Sequence, residues 1–249
     1  MDTGAKTMAA ALDELQVLGL KTMASSLESL YNSPEFNNTG RLELISRLIS
    51  DEYDARMTSR YNGRLKKARL KGCICSLDNC VDTKDRQYQP DDIVTTLARM
   101  QFIKDGMNLF ILGPSDSGKT YLAKALGASA CKDYQVRYYH CEELAADLAH
   151  LRKDDYTKYK KELKSLTNID LLILDDFLLH PMTDDTEIET LYAVLEHRNE
   201  IKKSCIICSQ REPKAWPAMI MQDEVSSNSF LKRIAKNYTV MIERSVDDQ

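Results

Sequence analysis

The segment Gly113-Pro114-Ser115-Asp116-Ser117-Gly118-Lys119-Thr120 restricts this chain more than any other. It matches the pattern G-x-x-x-x-G-K-[ST], and its surroundings narrow the reading further. The apolar residues 108–112 predict a strand that ends at the loop, and residues 119–133 predict a helix that starts from it. A glycine-bearing turn between a strand end and a helix start lets backbone N–H groups converge on phosphate oxygens. Gly113, Pro114, Ser115, Asp116, Ser117, Gly118, Lys119, Thr120 and Tyr121 are therefore the expected nucleotide-binding residues. Lys119 would neutralise β- and γ-phosphate charge, and Thr120 would offer its hydroxyl to Mg²⁺. Asp116 runs against this scheme, because it puts a carboxylate inside a loop that should cradle anions.

A second acidic element follows at Asp170-Leu171-Leu172-Ile173-Leu174-Asp175-Asp176. Four consecutive apolar residues suit a strand buried on both faces, delivering Asp175 and Asp176 at its C-terminal end. Asp175 is expected to hold Mg²⁺ and Asp176 to orient the attacking water or accept its proton. Aspartate is one methylene shorter than the glutamate often found in that role, which predicts slow turnover.

Further strands are expected at residues 136–141, 204–209 and 239–243. Helices are expected at 142–150, 156–165 and 186–200, with short ones near 216–221 and 229–235. Strands separated by helices imply parallel crossovers and a sheet covered on both faces.

The first 90 residues have another texture. Leucines and methionines at three- and four-residue steps predict helix over 8–32, interrupted at Gly19. Residues 41–70 predict a longer helix with Leu42, Ile45, Leu48, Ile49 and Tyr53 as its buried stripe. Residues 72–92 predict a linker. The domain reading is therefore a helical module over 1–90 and a nucleotide-binding domain over 91–249.

Net charge is −4, yet residues 56–71 carry seven cations and no acid: Arg56, Arg60, Arg64, Lys66, Lys67, Arg69 and Lys71. Arg56, Arg60, Arg64 and Lys67 or Lys71 would share one helix face, suited to sequence-independent contact with DNA phosphates. The other reading of such a run is a solvated helix face.

Seven cysteines without an export signal predict free thiols and a cytoplasmic setting, and no run is apolar enough to span a membrane. Cys73, Cys75 and Cys80 lack zinc-site spacing, Cys205 and Cys208 read as core, and the four histidines show no metal spacing. Trp216 reads as a packing anchor.

Together these segments resemble the IstB-type transposition helper ATPases, AAA+ proteins related to the DnaC-type helicase loaders. The resemblance is carried by Leu15-Gln16-Val17-Leu18-Gly19-Leu20-Lys21-Thr22-Met23-Ala24, by residues 113–123, and by Val136-Arg137-Tyr138-Tyr139. Residues 170–177, Ile206-Ile207-Cys208-Ser209-Gln210, Trp216 and Phe230-Leu231-Lys232-Arg233-Ile234 continue it.

It implies an α/β fold of the P-loop NTPase, AAA+ type: a parallel sheet with helices on both faces, preceded by a small all-helical module. It also implies ATP with Mg²⁺ as cofactors, Ser209 and Gln210 as the γ-phosphate sensor, and Arg233 as an arginine finger acting in trans within a homo-oligomer. The expected partners are double-stranded DNA and a transposase, or alternatively a replicative helicase. Catalytic roles fall to Asp176, Lys119, Arg233 and Ser209. The chain departs from the family at Asp116, where a glycine is usual, at Lys232, where an acid commonly precedes the finger, and at the C-terminus, where Arg244 is a doubtful sensor. These departures point to a third possibility, an ATP-gated DNA-binding scaffold without turnover.

Overall fold

The computed structural model describes residues 7–220 and 237–243. The chain divides into two units, Met1–Gly63 and Arg64–Gln249.

The first unit is helical: α1 (Met8–Val17), α2 (Lys21–Tyr31) and α3 (Arg41–Lys67), whose last turn passes into the second unit. Gly19 separates α1 from α2 as expected, at φ +74°. The Thr7 hydroxyl caps α1 by accepting from Ala10 N. Leu20, preceding α2, has no side-chain cap to offer. Glu52 of α3 supplies one instead: its Oε2 accepts from Met23 N at 3.0 Å, while its Oε1 pairs with Arg56 Nε at 2.7 Å. Arg56 also donates to Gly19 O at 3.1 Å.

The expected apolar stripe of α3 is a helical face, but it is not buried. Leu42 is 77% exposed, Ile45 54%, Ile49 55% and Tyr53 62%; Leu48 alone of the five is half-buried. Ala24, Leu30 and Glu52 are the buried residues among 7–63.

The second unit is built on a six-stranded sheet in the order β1-β6-β2-β5-β4-β3. The strands are β1 (Gln87–Gln89), β2 (Asn108–Leu112), β3 (Val136–His140), β4 (Leu171–Asp175), β5 (Ser204–Ser209) and β6 (Asn237–Glu243). Every pairing is parallel except β1 with β6. The segment expected as a linker therefore contributes the sheet's edge strand. Its Gln-Tyr-Gln carries no hydrophobic run, and only Tyr88 is buried.

The helices of this unit are α4 (Ile93–Ala98), α5 (Gln101–Lys104), α6 (Lys119–Ala130), α7 (Cys141–Asp154), α8 (Tyr156–Asn168) and α9 (Asp185–Glu200). The expected helix near Trp216 is two 3₁₀ turns, Pro213–Ala215 and Pro217–Met219. The helix expected at 229–235 lies outside the described residues.

Alternate residues of a strand face opposite sides. Leu172 and Leu174 of β4 join Leu144, Leu148, Leu166, Ile188, Leu191 and Val194 of α7, α8 and α9 in one core. Trp216 is fully buried in it, edge-on to Phe110 at 5.1 Å and Phe177 at 4.9 Å. Ile173 faces the other way, toward α6. A Cβ on Gly127 of α6 would lie 2.6 Å from Ile173 Cδ1, so glycine there permits the close approach of helix and sheet.

Arg198 of α9 is fully buried and, among the described residues, bonds to backbone carbonyls and a thiol. Nη1 donates to the carbonyls of Leu166, Thr167 and Ile169, Nη2 to those of Asp170 and Ser204, and Nε to Cys205 Sγ. One guanidinium thus satisfies the end of α8, the approach to β4 and the start of β5.

Candidate nucleotide site

The phosphate loop joins β2 to α6 as the sequence predicts. Gly113 has φ +157°, and a Cβ there would lie 2.6 Å from Ile242 O of β6. Gly118 opens α6 at φ +96°. Asp116 adopts φ +58° and is exposed. Ser117 Oγ is buried without a hydrogen-bond partner. Lys119 is buried and its Nζ donates to Pro114 O. Burial lowers the Lys119 pKa, and the nearby Cys208, Asp176 and Asp175 pull it back up.

A cavity of about 630 Å³ opens beside this loop, within the size range of small-ligand sites. Ser115, Asp116, Gly118, Lys119, Thr120 and Tyr121 line it from the loop, Asp176 from the end of β4 and Gln210 from the end of β5. Gly113, Pro114, Ser117 and Asp175 shape the site without lining the cavity. Cys75 stands at its rim, on a turn tied down by Tyr121, whose hydroxyl accepts from Ser76 N at 3.2 Å and Asn79 Nδ2 at 3.1 Å.

Asp175 is fully buried behind Asp176. Tyr138 of β3 donates its hydroxyl to Asp175 Oδ2 at 2.7 Å, and Asp176 N donates to Asp175 Oδ1 at 3.1 Å. Burial, with Asp175 alongside, pushes the Tyr138 phenol well above its ordinary value and keeps it a donor.

The β3–β4 register sets His140 opposite Asp175, and His140 Nδ1 lies 3.4 Å from Asp176 Oδ2. Ligand atoms of His140, Asp175 and Asp176 all fall within 4.8 Å of one another. His140 is a site neighbour that sequence spacing does not reveal, because strand pairing over 35 residues creates the proximity. Carboxylate and hydroxyl oxygens are the donor set a hard divalent cation takes, so Thr120, Asp175 and Asp176 fit Mg²⁺.

Ser209 ends β5, as the sensor reading expects, and does not line the cavity. It is buried; its hydroxyl donates to Phe177 O at 2.9 Å and accepts from Arg211 N at 3.1 Å and Trp216 Nε1 at 3.3 Å. Its bonding capacity is used in fixing the turn after β4 and the Trp216 segment. Gln210, the next residue, reaches the cavity. Cys205 and Cys208 are core residues, and burial raises the Cys208 thiol pKa well above its usual value.

The basic run divides. Arg56 is held by Glu52 and Gly19 in the first unit, where Arg60 is exposed. In the second unit Arg64 is bound to the carbonyls of Cys131 and Lys132, and Arg69 stacks 4.3 Å over the Tyr139 ring. Lys66, Lys67, Arg69 and Lys71 are exposed, but α3 ends at Lys67, so Lys71 and Arg69 are not on its face. Arg233 and the rest of the Phe230–Ile234 segment, with Arg244, lie outside the described residues. Among the described residues no helix is long and apolar enough to cross a membrane.

The chain is 31% identical over 227 residues to the insertion sequence ATP-binding protein y4pL of Sinorhizobium fredii, covering 91% of this chain and 90% of that one. It is 26% identical over 238 residues to the IS21 ATP-binding protein of Pseudomonas aeruginosa, covering 92% and 86%.

Among solved structures, the DnaC helicase loader aligns with TM-score 0.53 at 24% identity, over 68% of this chain and 97% of that one. DnaA of Aquifex aeolicus bound to AMPPCP aligns with TM-score 0.54 at 22% identity, over 68% and 50%. These likenesses show the P-loop AAA+ fold over 68% of the chain. The family described as IstB-like ATP binding protein matches residues 13–244, and the chain belongs to that family of insertion-sequence ATP-binding proteins.

Proposed function

We propose that this chain is an ATP-hydrolysing helper that assembles on double-stranded DNA and recruits or regulates a transposase. The observation that carries the ATPase reading is the convergence of Lys119 and Asp176, from two separate motifs, on one cavity. Lys119 and the N-terminus of α6 would hold the β- and γ-phosphates. Thr120 and Asp175 would hold Mg²⁺, which neutralises phosphate charge when bound. Asp176 would orient the attacking water and take up its proton, with His140 steadying the carboxylate. Gln210, which lines the cavity, would sense the γ-phosphate, and Ser209 would act through the turn it braces.

Arg233 of a neighbouring copy would stabilise transition-state charge, making turnover depend on assembly. Arg60, Lys66, Lys67 and Lys71, exposed and, among the described residues, without the partners that hold the Arg56, Arg64 and Arg69 side chains, would be offered to DNA phosphates. Relatives named for insertion sequences support a transposase rather than a helicase as partner.

A second reading is favoured by Asp116, an acid among the residues lining the same cavity: an ATP-gated DNA scaffold without turnover. Phosphate release from ATP separates the two. DNA-stimulated turnover lost in both Lys119→Ala and Arg233→Ala supports the assembled ATPase. ATP binding without release, with or without DNA, overturns hydrolysis and leaves the scaffold.

A further inference from the structure

Arg86 belongs to none of the motifs above. It precedes β1 in a tight turn in which Thr83 N donates to Arg86 O at 2.8 Å and Tyr88 N donates to Asp82 Oδ1 at 2.7 Å. The strand that follows is pinned to β6, with Gln87 opposite Glu243. This anchoring directs the Arg86 side chain onto the phosphate loop. A Cβ on Gly118 would lie 2.9 Å from Arg86 Nη1 and 3.5 Å from its Cδ. The guanidinium therefore rests on the backbone of the residue that opens α6.

Its surroundings do not balance its charge. Arg86 Nε is buried and has no hydrogen-bond partner. The Tyr88 ring lies 5.5 Å from its Cζ, and among the described residues no carboxylate forms an ion pair with it. A guanidinium stays charged at any ordinary pH, and burying part of one without an anion is costly. Its planar fork matches phosphate oxygens.

We propose that Arg86 is a phosphate ligand supplied in cis, closing over the phosphate chain of the nucleotide bound at Gly113–Thr120. The assignment rests on the nucleotide reading above. It also gives the loop a second cation to set against Asp116, and it explains why the short polar strand β1 is held in the sheet: the strand aims the arginine.

Titration calorimetry of the full chain with Mg·ATP, ADP and adenosine tests this. The proteins are wild type, Lys119→Ala, Arg86→Ala and Arg86→Met, each also melted without nucleotide. Loss of Arg86 should weaken ATP and ADP about ten- to hundredfold, the usual scale of a charge-assisted bond, and leave adenosine unchanged. The nucleotide-free melting temperature should hold.

If Arg86→Ala does not fold, Arg86→Met decides in the same way, since its unbranched stem covers the same surface without charge. ATP affinity equal to wild type in the folded variant overturns the assignment, as does equal loss of ATP and adenosine. No ATP binding by wild type, with Lys119→Ala indistinguishable from it, overturns the nucleotide reading and the assignment together.

Discussion

The two units solve the problem of a core in different ways. The second unit stacks helices on both faces of a sheet whose strands β2, β4 and β5 are buried along their whole length. The first has the same kind of leucine periodicity and buries almost none of it. Its helices are held instead by polar bonds from Glu52 and Arg56. Periodicity specifies which residues share a helix face. Burial depends on whether enough chain exists to cover that face.

This contrast is measurable because the single tryptophan, Trp216, lies in the second unit. Its fluorescence follows that unit alone, while far-ultraviolet circular dichroism follows both. The largest effect is expected from Arg198→Met, which strands the five carbonyls that Arg198 serves; stability of the second unit should fall by about 3–5 kcal/mol. A denaturant midpoint read from Trp216 that does not move would show the guanidinium to be dispensable.

Next in size, Tyr138→Phe removes a bond to the fully buried Asp175 carboxylate and should cost about 1–3 kcal/mol on the same probe. It should also impair ATP turnover more than ATP binding, because it loosens the acid behind Asp176.

Glu52→Gln probes the first unit. The Arg56 guanidinium, with the Met23 amide, holds the Glu52 carboxyl below its ordinary 4.5 in the folded chain. A depressed pKa contributes stability that is present above the unfolded value and lost as pH falls through the folded one. Helix content of wild type should therefore decline below about pH 4.5 with Trp216 fluorescence lagging behind, and Glu52→Gln should flatten that early decline. Coincident acid transitions in both probes would erase the distinction between the units.

The smallest effect is expected from Ile49→Asn on the exposed stripe, within about 0.5 kcal/mol. A large loss would show that stripe to be covered in solution.

Much of the second unit is legible in the sequence for simple reasons. Strands β2, β4 and β5 are apolar runs bounded by turn residues, and the phosphate loop and Asp175-Asp176 sit at strand ends where the fold needs them. Four features are not legible. β1 is polar and draws its identity from pairing with the distant β6, Gln87 opposite Glu243. His140 meets Asp176 through strand register, and Arg198 is an arginine in a core that no local pattern marks. Ser209 and Gln210 are adjacent in sequence, and only the turn geometry decides which one faces the cavity. Each of these depends on long-range geometry that local periodicity does not carry.

Cys75 stands at the rim of the nucleotide cavity, and burial beside Cys73 lifts its thiol to about 11. Five of the other cysteines are buried and Cys73 is half-covered. At neutral pH so little thiolate is present that alkylation at the rim must be slow, and it becomes a clock. A nucleotide seated in the cavity that Cys75 lines would cover the thiol and slow that clock, so the protein carries its own reporter of occupancy at this mouth.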